Sequence, residues 1–457
     1  MHRGRDRDID MMPPARSELL SGWGRYPSAV CPLTEPGDIR AVMEGLARSP
    51  SGIARGMGRS YGDSSLNGSL VLGMGKLDRM LAFDPETGVL TCESGITLAD
   101  IIDVLLPRGW FPAVTPGTKF VTVGGMIAAD VHGKNHHGAG SFCDHLLSLD
   151  LALGDGSVVT CSAERNLALF AATCGGMGLT GVILRATFRL QRVETSRIRQ
   201  RTLRARNLDD AMAILDAAQD ATYTVAWIDC LAGGDSLGRS LIFLGEHARI
   251  GELPEADRAA PLARPRRRAR RVPIDFPAIA LSWPSVRLFN ALYYRSNRAG
   301  TSLVDLDPYF YPLDALADWN RIYGRRGFVQ YQSVLPIAES AAGLRRMLAE
   351  VTRTGGASFL AVLKRLGRQS FGLMSFPRPG YTLALDFPAT AGNLKLLDRL
   401  DAIVREHGGR IYLAKDARTS PAMIACGYPR LAAFQAVRRR HGLADRFCSL
   451  QSRRLEL

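Results

Sequence analysis

The sequence contains no CxxC pair. Its eight cysteines, Cys31, Cys92, Cys143, Cys161, Cys174, Cys230, Cys426 and Cys448, are scattered along the chain. That excludes the usual iron–sulfur and structural zinc spacings and supplies no disulfide framework. Nowhere do roughly 20 apolar residues run together, so no membrane span is expected. Residues 1–20 mix both charge signs and hold no apolar core of signal-peptide length, so no Sec signal is read there. Strand–helix units of constant length are missing, which argues against a parallel doubly wound sheet. There is no repeat of fixed period. Zinc fingers, an RNP motif and a basic helix with heptads are absent too, and with them any positive sign of nucleic-acid binding.

What is present is an ordered chain with an unusual amount of glycine. Its 457 residues are 46% hydrophobic and 22% charged, too long for one ordinary core and suited to two domains. The 46 glycines make up about a tenth of the chain, against a usual roughly 7%. Many fall in clusters before residue 185, a pattern of backbone turned tightly or brought against a ligand. Lys and Arg number 58 against 44 Asp and Glu, a net +14. Such an excess suits an anionic partner: a phosphate-bearing cofactor, an acidic lipid surface or nucleic acid.

Periodicity predicts helices over 37–46, 98–106, 163–172, 208–218, 341–352 and 394–406. It predicts strands over 89–93, 181–193, 223–229, 328–334 and 381–387, with a hairpin of 146–153 and 157–161 around Gly154-Asp155-Gly156. The texture changes near residue 194 and again near Arg410. The stretch 252–271, with Arg264, Arg266, Arg267, Arg268, Arg270 and Arg271, is expected to be a solvent-exposed loop.

Two segments carry the chemistry. In 54–63, ARGMGRSYGD, three closely spaced glycines around Arg59 and Ser60 form a loop whose N–H groups can converge on a diphosphate. The alternative is a tight surface turn. In 115–134, Gly124 and Gly125 followed by small residues allow a flat wall of backbone against a planar ligand, as a flavin ring requires. His132 at its end is a candidate for ring contact, proton transfer or covalent flavin attachment, or a structural histidine bonded to backbone. The grouping of His132, His136, His137 and His145 calls for a metal test. Gly133, Asn135 and Gly138 argue against a helix that would align them, and no metal is expected. Lys415, near the end of an apolar run, is placed where a buried cation could stabilise negative charge on a reduced flavin. A solvated surface lysine is the plainer reading.

The runs ARGMGRSYGDSSLNG (54–68), PGTKFVTVGGMIAADVHGKNHHGAGSFCDH (116–145), YFYPLDALADWN (309–320), VQYQSVLP (329–336), LDFP (385–388) and GGRIYLAKDARTS (408–420) resemble the decaprenylphosphoryl-β-D-ribose 2′-oxidase family, in matching order over nearly the whole chain. The resemblance implies an α+β, two-domain vanillyl-alcohol-oxidase-type flavoprotein. Residues 1–193 and a C-terminal return, 410–457, would form the PCMH-type FAD-binding domain. Residues 194–409 would form an inserted substrate domain with an antiparallel sheet. It assigns non-covalent FAD to Arg55, Gly56, Met57, Gly58, Arg59, Ser60, Tyr61, Gly62 and Asn67; to Pro116, Gly117, Thr118, Thr122, Gly124, Gly125, Ala128, Ala129, His132, Gly133 and Asn135; and to Gly178, Gly181, Ile183 and Tyr412. Lys415, His132 and Tyr61 become the catalytic candidates. Tyr311, Gln330, Gln332, Lys364, Asp386 and Lys415 become the substrate-binding candidates.

The implied reaction is oxidation of the ribose 2′-hydroxyl of a polyprenyl-phosphoryl ribose. A separate NAD(P)H-dependent short-chain reductase would complete epimerisation to the arabinose donor used in cell-wall arabinan synthesis. A peripheral membrane location is implied, with the cytoplasm as the alternative, and the arginines of 264–271 could dock on anionic headgroups. One position departs from the family. Where its G-W-N-I-C-V-D-F-P pattern has the cysteine that captures nitroaromatic inhibitors, residues 380–388 carry Ala384. The competing readings are a soluble sugar or aldonolactone oxidase of the same flavin superfamily and a basic nucleic-acid-binding protein.

Overall fold

Glycine and proline cut the first 190 residues into short strands, and these assemble into two sheets. The computed structural model describes residues 15–265, 269–277, 283–355, 358 and 360–457. A four-stranded sheet runs in the order Arg16–Ser21, Ser28–Thr34, Val71–Gly73, Ile53–Arg55, with parallel pairing at its inner edge. An antiparallel sheet follows: Met80–Phe83, Val89–Glu93, Val182–Arg192, Leu146–Ala152 and Val158–Ser162, with Trp110–Pro112 on the far end of Val182–Arg192. The helix Leu98–Leu105 begins at a reciprocal cap between Thr97 and Asp100 and buries Leu98, Ile101, Ile102 and Leu105 in the core of this region.

The third sheet is antiparallel throughout and has eight strands: Gly300–Asp305, Arg197–Ala205, Ser240–His247, Tyr223–Ile228, Ala361–Leu366, Gly380–Pro388, Phe328–Pro336 and Arg410–Ile411. Side chains alternate between the faces of a strand, and here both faces are covered. Val329, Tyr331, Leu363, Leu383 and Leu385 join a core with the helices Leu208–Ala217, Ile337–Thr354 and Ala391–Glu406. Gln330, Gln332, Lys364, Thr382 and Ala384 point the other way, into a cavity. The architecture is α+β.

The chain then returns to its beginning. Phe447 forms an isolated bridge with Gly52, Asn67 Nδ2 donates to the Cys448 carbonyl at 2.7 Å, and Arg454 pairs with Asp63 at 2.8 Å.

Four expectations need correction. The helix expected over 163–172 is confined to Leu167–Thr173, because Asn166 adopts a left-handed conformation (φ 54°) that breaks the helical path. The flat wall expected in 122–134 contains a short helix, Val123–Ala128, started by the Thr122 side chain accepting from Gly125 N at 3.2 Å. A single helical turn, His136–Ala139, forms where no helix is expected; His132 lies outside it, bridged to Ser141. The stretch 252–271 is not an exposed loop throughout: Leu253 is buried, Arg264 is drawn into an ion pair with Asp103, and Arg270–Arg271, though exposed, forms a short strand paired with Leu316–Ala317. Arg266, Arg267 and Arg268 lie outside the described residues.

Candidate active site

The first glycine segment is held open from both sides. Arg55 reaches back to Ser65 Oγ (2.8 Å) and the Ser21 carbonyl (2.7 Å), bracing the loop. Gly58 takes a left-handed turn (φ 62°), and Arg59 stacks its guanidinium 3.9 Å above the Trp23 ring. The second segment comes so close that a Cβ on Gly56 would stand 2.2 Å from Thr122 Oγ1. Both segments line one cavity of about 660 Å³, within the usual size of a cofactor or ligand site.

His132 closes the wall. Its Nε2 meets Gln332 Nε2 at 3.0 Å, and its ring sits between Phe376 and Tyr412, with centroids at 5.5 and 5.2 Å. With Gln332 donating, Nε2 is the acceptor and the proton belongs on Nδ1. Burial, reinforced by the charge of Lys364, pushes the imidazole well below its usual range and keeps it neutral.

A polar cluster faces this wall. Lys415 Nζ lies 3.9 Å from the centroid of Tyr61. Gln330 Nε2 donates to Asp386 Oδ1 at 2.5 Å and lies 3.3 Å from the Tyr61 hydroxyl; Tyr323 donates to the other Asp386 oxygen at 3.3 Å. Burial lowers the Lys415 ammonium below the lysine range and raises the Asp386 carboxyl, and the attraction between the two opposes both shifts. Two further lysines share the cavity. Burial brings Lys364 down to about 8, and burial together with the Lys364 charge brings Lys134 down to about 7. Lys134 Nζ is tied to the Tyr309 carbonyl.

Most of the expected residues meet at this cavity. Gly56, Met57, Gly58, Arg59, Ser60, Tyr61, Pro116, Gly117, Thr118, Thr122, Gly124, Gly125, Ala128, Ala129, His132, Gly133, Gly178, Gly181, Ile183 and Tyr412 all line it, as do Gln330, Gln332, Lys364 and Lys415. Six stand behind the lining. Besides Arg55, Gly62 is pressed against the Asp416 carbonyl, where a Cβ would come within 2.1 Å. Asn67 anchors the C-terminal return, and Asn135 donates to the Ala113 carbonyl at 2.8 Å. Tyr311 is turned to Thr115 Oγ1 at 2.5 Å, and Asp386 is fully buried behind Gln330. Sequence reasoning did not single out Trp23, Ser94, Trp227, Tyr293 or Asp314, which also line the cavity. Strand alternation could have found Trp227, which projects to the same face as Val225; Trp23 arrives on a turn and Asp314 on the single 3-10 turn Pro312–Ala315, and neither leaves such a pattern.

Among the described residues, Arg59 Nε, Ser94 Oγ and His132 Nδ1 are buried, belong to cavity-lining residues and have no protein partner. Gly117 has open space where a Cβ would point. Unpaired donors, a cation and bare backbone on an elongated wall fit a dinucleotide with a planar ring. No group of three or more His, Cys, Asp or Glu able to hold a metal is found among the described residues.

The model of an FAD binding domain matches residues 27–162, which include both glycine segments. The decaprenylphosphoryl-β-D-ribose oxidase of Mycolicibacterium smegmatis is 36% identical over 454 residues, covering 97% of this chain and 98% of that protein. This chain belongs to the decaprenylphosphoryl-β-D-ribose oxidase family. Like the family, it is an FAD-dependent oxidoreductase of the two-domain vanillyl-alcohol-oxidase type. An uncharacterized protein of Streptomyces coelicolor is 39% identical over 79% of the chain and all of its own length. Mouse L-gulonolactone oxidase is 32% identical over only 36% of the chain and 38% of its own. Family membership does not bring the reactive cysteine with it: position 384 lines the cavity as alanine.

Proposed function

We propose that this protein oxidises the ribose 2′-hydroxyl of a polyprenyl-phosphoryl ribose to the 2′-keto sugar, the first half of an epimerisation to the arabinose donor. One observation carries the reading: a single cavity joins the glycine-lined wall, the Lys415 cluster, two further lysines and an apolar arm that includes Val225, Trp227 and Val362. A flavin, a sugar, a phosphate and a hydrocarbon each have a matching surface there.

In this reading the 56–61 loop would hold the FAD diphosphate. Gly117, Thr118, Gly125, Ala129 and His132 would hold the ring, and Gly178, Gly181 and Ile183 the adenosine half. Bound FAD supplies the hydride acceptor. Lys415, seated on Tyr61, would orient the 2′-oxygen and stabilise the negative charge that develops on it as its hydroxyl proton leaves to a base or to water, while the hydride of C2′ goes to the flavin. Asp386 acts through Gln330 and the charge of Lys415. Lys134 and Lys364 offer cations to the phosphate. The hold of Gln332 on Nε2 supports His132 as a packing and hydrogen-bonding residue beside a non-covalent flavin; acid precipitation should leave the yellow colour in the supernatant.

The return of 410–457 onto Gly52, Asp63 and Asn67 supports an FAD-binding domain of 1–193 plus 410–457 around a substrate domain of 194–409. The 2′-keto product requires a second hydride on the opposite face, the role of an NAD(P)H-dependent short-chain reductase. Among the described residues no helix is long and apolar enough to cross a membrane. A lipid substrate supports contact with a membrane surface. The test is anaerobic bleaching of the flavin by a polyprenyl-phosphoryl ribose beside free ribose. Rapid bleaching by the lipid phosphate alone is expected, and bleaching by free ribose alone overturns the reading in favour of a soluble sugar oxidase.

A further inference from the structure

The helix Trp283–Ser296 has two faces with different surroundings. Along its inner stripe Val286 is buried, Asn290 donates to Asp229 Oδ1 at 2.8 Å, and Tyr293 meets Trp227 edge-on at 4.9 Å. Tyr293, and Asn297 one turn further on, line the substrate arm of the cavity. The spacing of 286, 290, 293 and 297 is that of one helical face.

The outer stripe is apolar. Leu288 is 62% and Leu292 57% exposed, with Trp283 40% exposed at the start of the helix. A surface helix normally places polar side chains there. The charged residues beside this stripe are all cationic: Arg287, Arg295 and, just beyond, Arg298 are exposed. From residue 283 to 298 the sequence has three arginines and no acidic residue. A protein partner would ordinarily be met by charges of both signs. Exposed leucines set among charges of one sign match a diffuse negative surface with an apolar interior.

We propose that the helix Trp283–Ser296 seats the protein on an anionic phospholipid bilayer. Leu288 and Leu292 enter the acyl boundary, the arginines take headgroup phosphates, and the inner stripe presents the cavity to lipid leaving that bilayer. The proposal rests on the reading that the substrate is a lipid phosphate, but vesicle binding is measured without substrate, so the two fail separately.

The experiment uses the full-length, flavin-loaded protein in flotation with vesicles of phosphatidylglycerol and phosphatidylcholine, beside vesicles of phosphatidylcholine alone. The parent protein is expected to float with the anionic vesicles. The double variant Leu288→Ser/Leu292→Ser should lose about tenfold or more of that partitioning, while flavin content and bleaching by a short-chain, water-soluble phosphoryl ribose stay unchanged. Replacing Arg287, Arg295 and Arg298 by Gln should weaken binding to the anionic vesicles. No partitioning of the parent protein, or equal partitioning of the double variant, overturns the proposal. So does a fall in sedimenting mass of the double variant with vesicle binding intact, which would make the face a contact between copies of the chain. Vesicle binding that persists while no phosphoryl ribose bleaches the flavin would sink the functional reading and leave the membrane seat standing.

Discussion

Lys415 and Ala384 both face the cavity, and each makes a separable prediction. Lys415→Met removes a buried cation from beside Tyr61 without touching the glycine wall. Turnover on a phosphoryl ribose should fall on the order of a hundredfold, with flavin absorbance and melting temperature kept. Near-normal turnover would reject the assigned role. Ala384 has no thiol to offer an electrophile. The protein should therefore show only reversible inhibition by nitroaromatic compounds, and Ala384→Cys should gain a stable adduct visible by mass spectrometry at that residue. Time-dependent, irreversible inactivation of the parent protein by such a compound would overturn this expectation.

At the scale of the element, the two glycine segments are fitted to each other as well as to a ligand. Gly56→Ala pushes a methyl group into the Thr122 hydroxyl that starts the helix Val123–Ala128. It should cost about 1–3 kcal/mol of stability and release flavin, read by melting temperature and absorbance. Gly117→Ala meets no protein atom within 4 Å; it should leave the fold intact and lower flavin retention alone. Equal melting of both variants would contradict this division.

The same pair shows how far the sequence could be read. Strands 89–93, 181–193 and 381–387 were legible because alternation and flanking glycines are local signals. The cavity-facing positions of Gln330 and Gln332 follow from that alternation once the helix-side core is known. The short helix after Thr122 was not legible, because glycines that signal a ligand also mask helical periodicity. Nor was the placing of Asp386 behind Gln330, which depends on the register of Gly380–Pro388 against Phe328–Pro336, a pairing of distant segments.

Across the whole molecule, burial of uncharged histidines sets a pH dependence of stability. Burial holds His136 down to about 3 and His132 well below its ordinary value. The unfolded chain takes up protons below about pH 6.5, whereas the folded sites resist them. Stability contributed by each neutral histidine is therefore fully present above that pH and is lost as pH falls towards the folded values. For His136 the loss between pH 7 and 5 should be about 2 kcal/mol, and His132 adds a loss of the same sign. Urea midpoints across this range should fall more steeply for the parent than for His136→Gln, and identical slopes would show that the ring is solvated. The return of 410–457 onto Gly52, Asp63 and Asn67 bears on how the molecule is assembled. A ribosome delivers both glycine segments long before residues 410–457, so the seat of Gly62 against the Asp416 carbonyl, the hold on Asn67 and the stacking of Lys415 on Tyr61 all form only after that later segment has come back to the beginning of the chain.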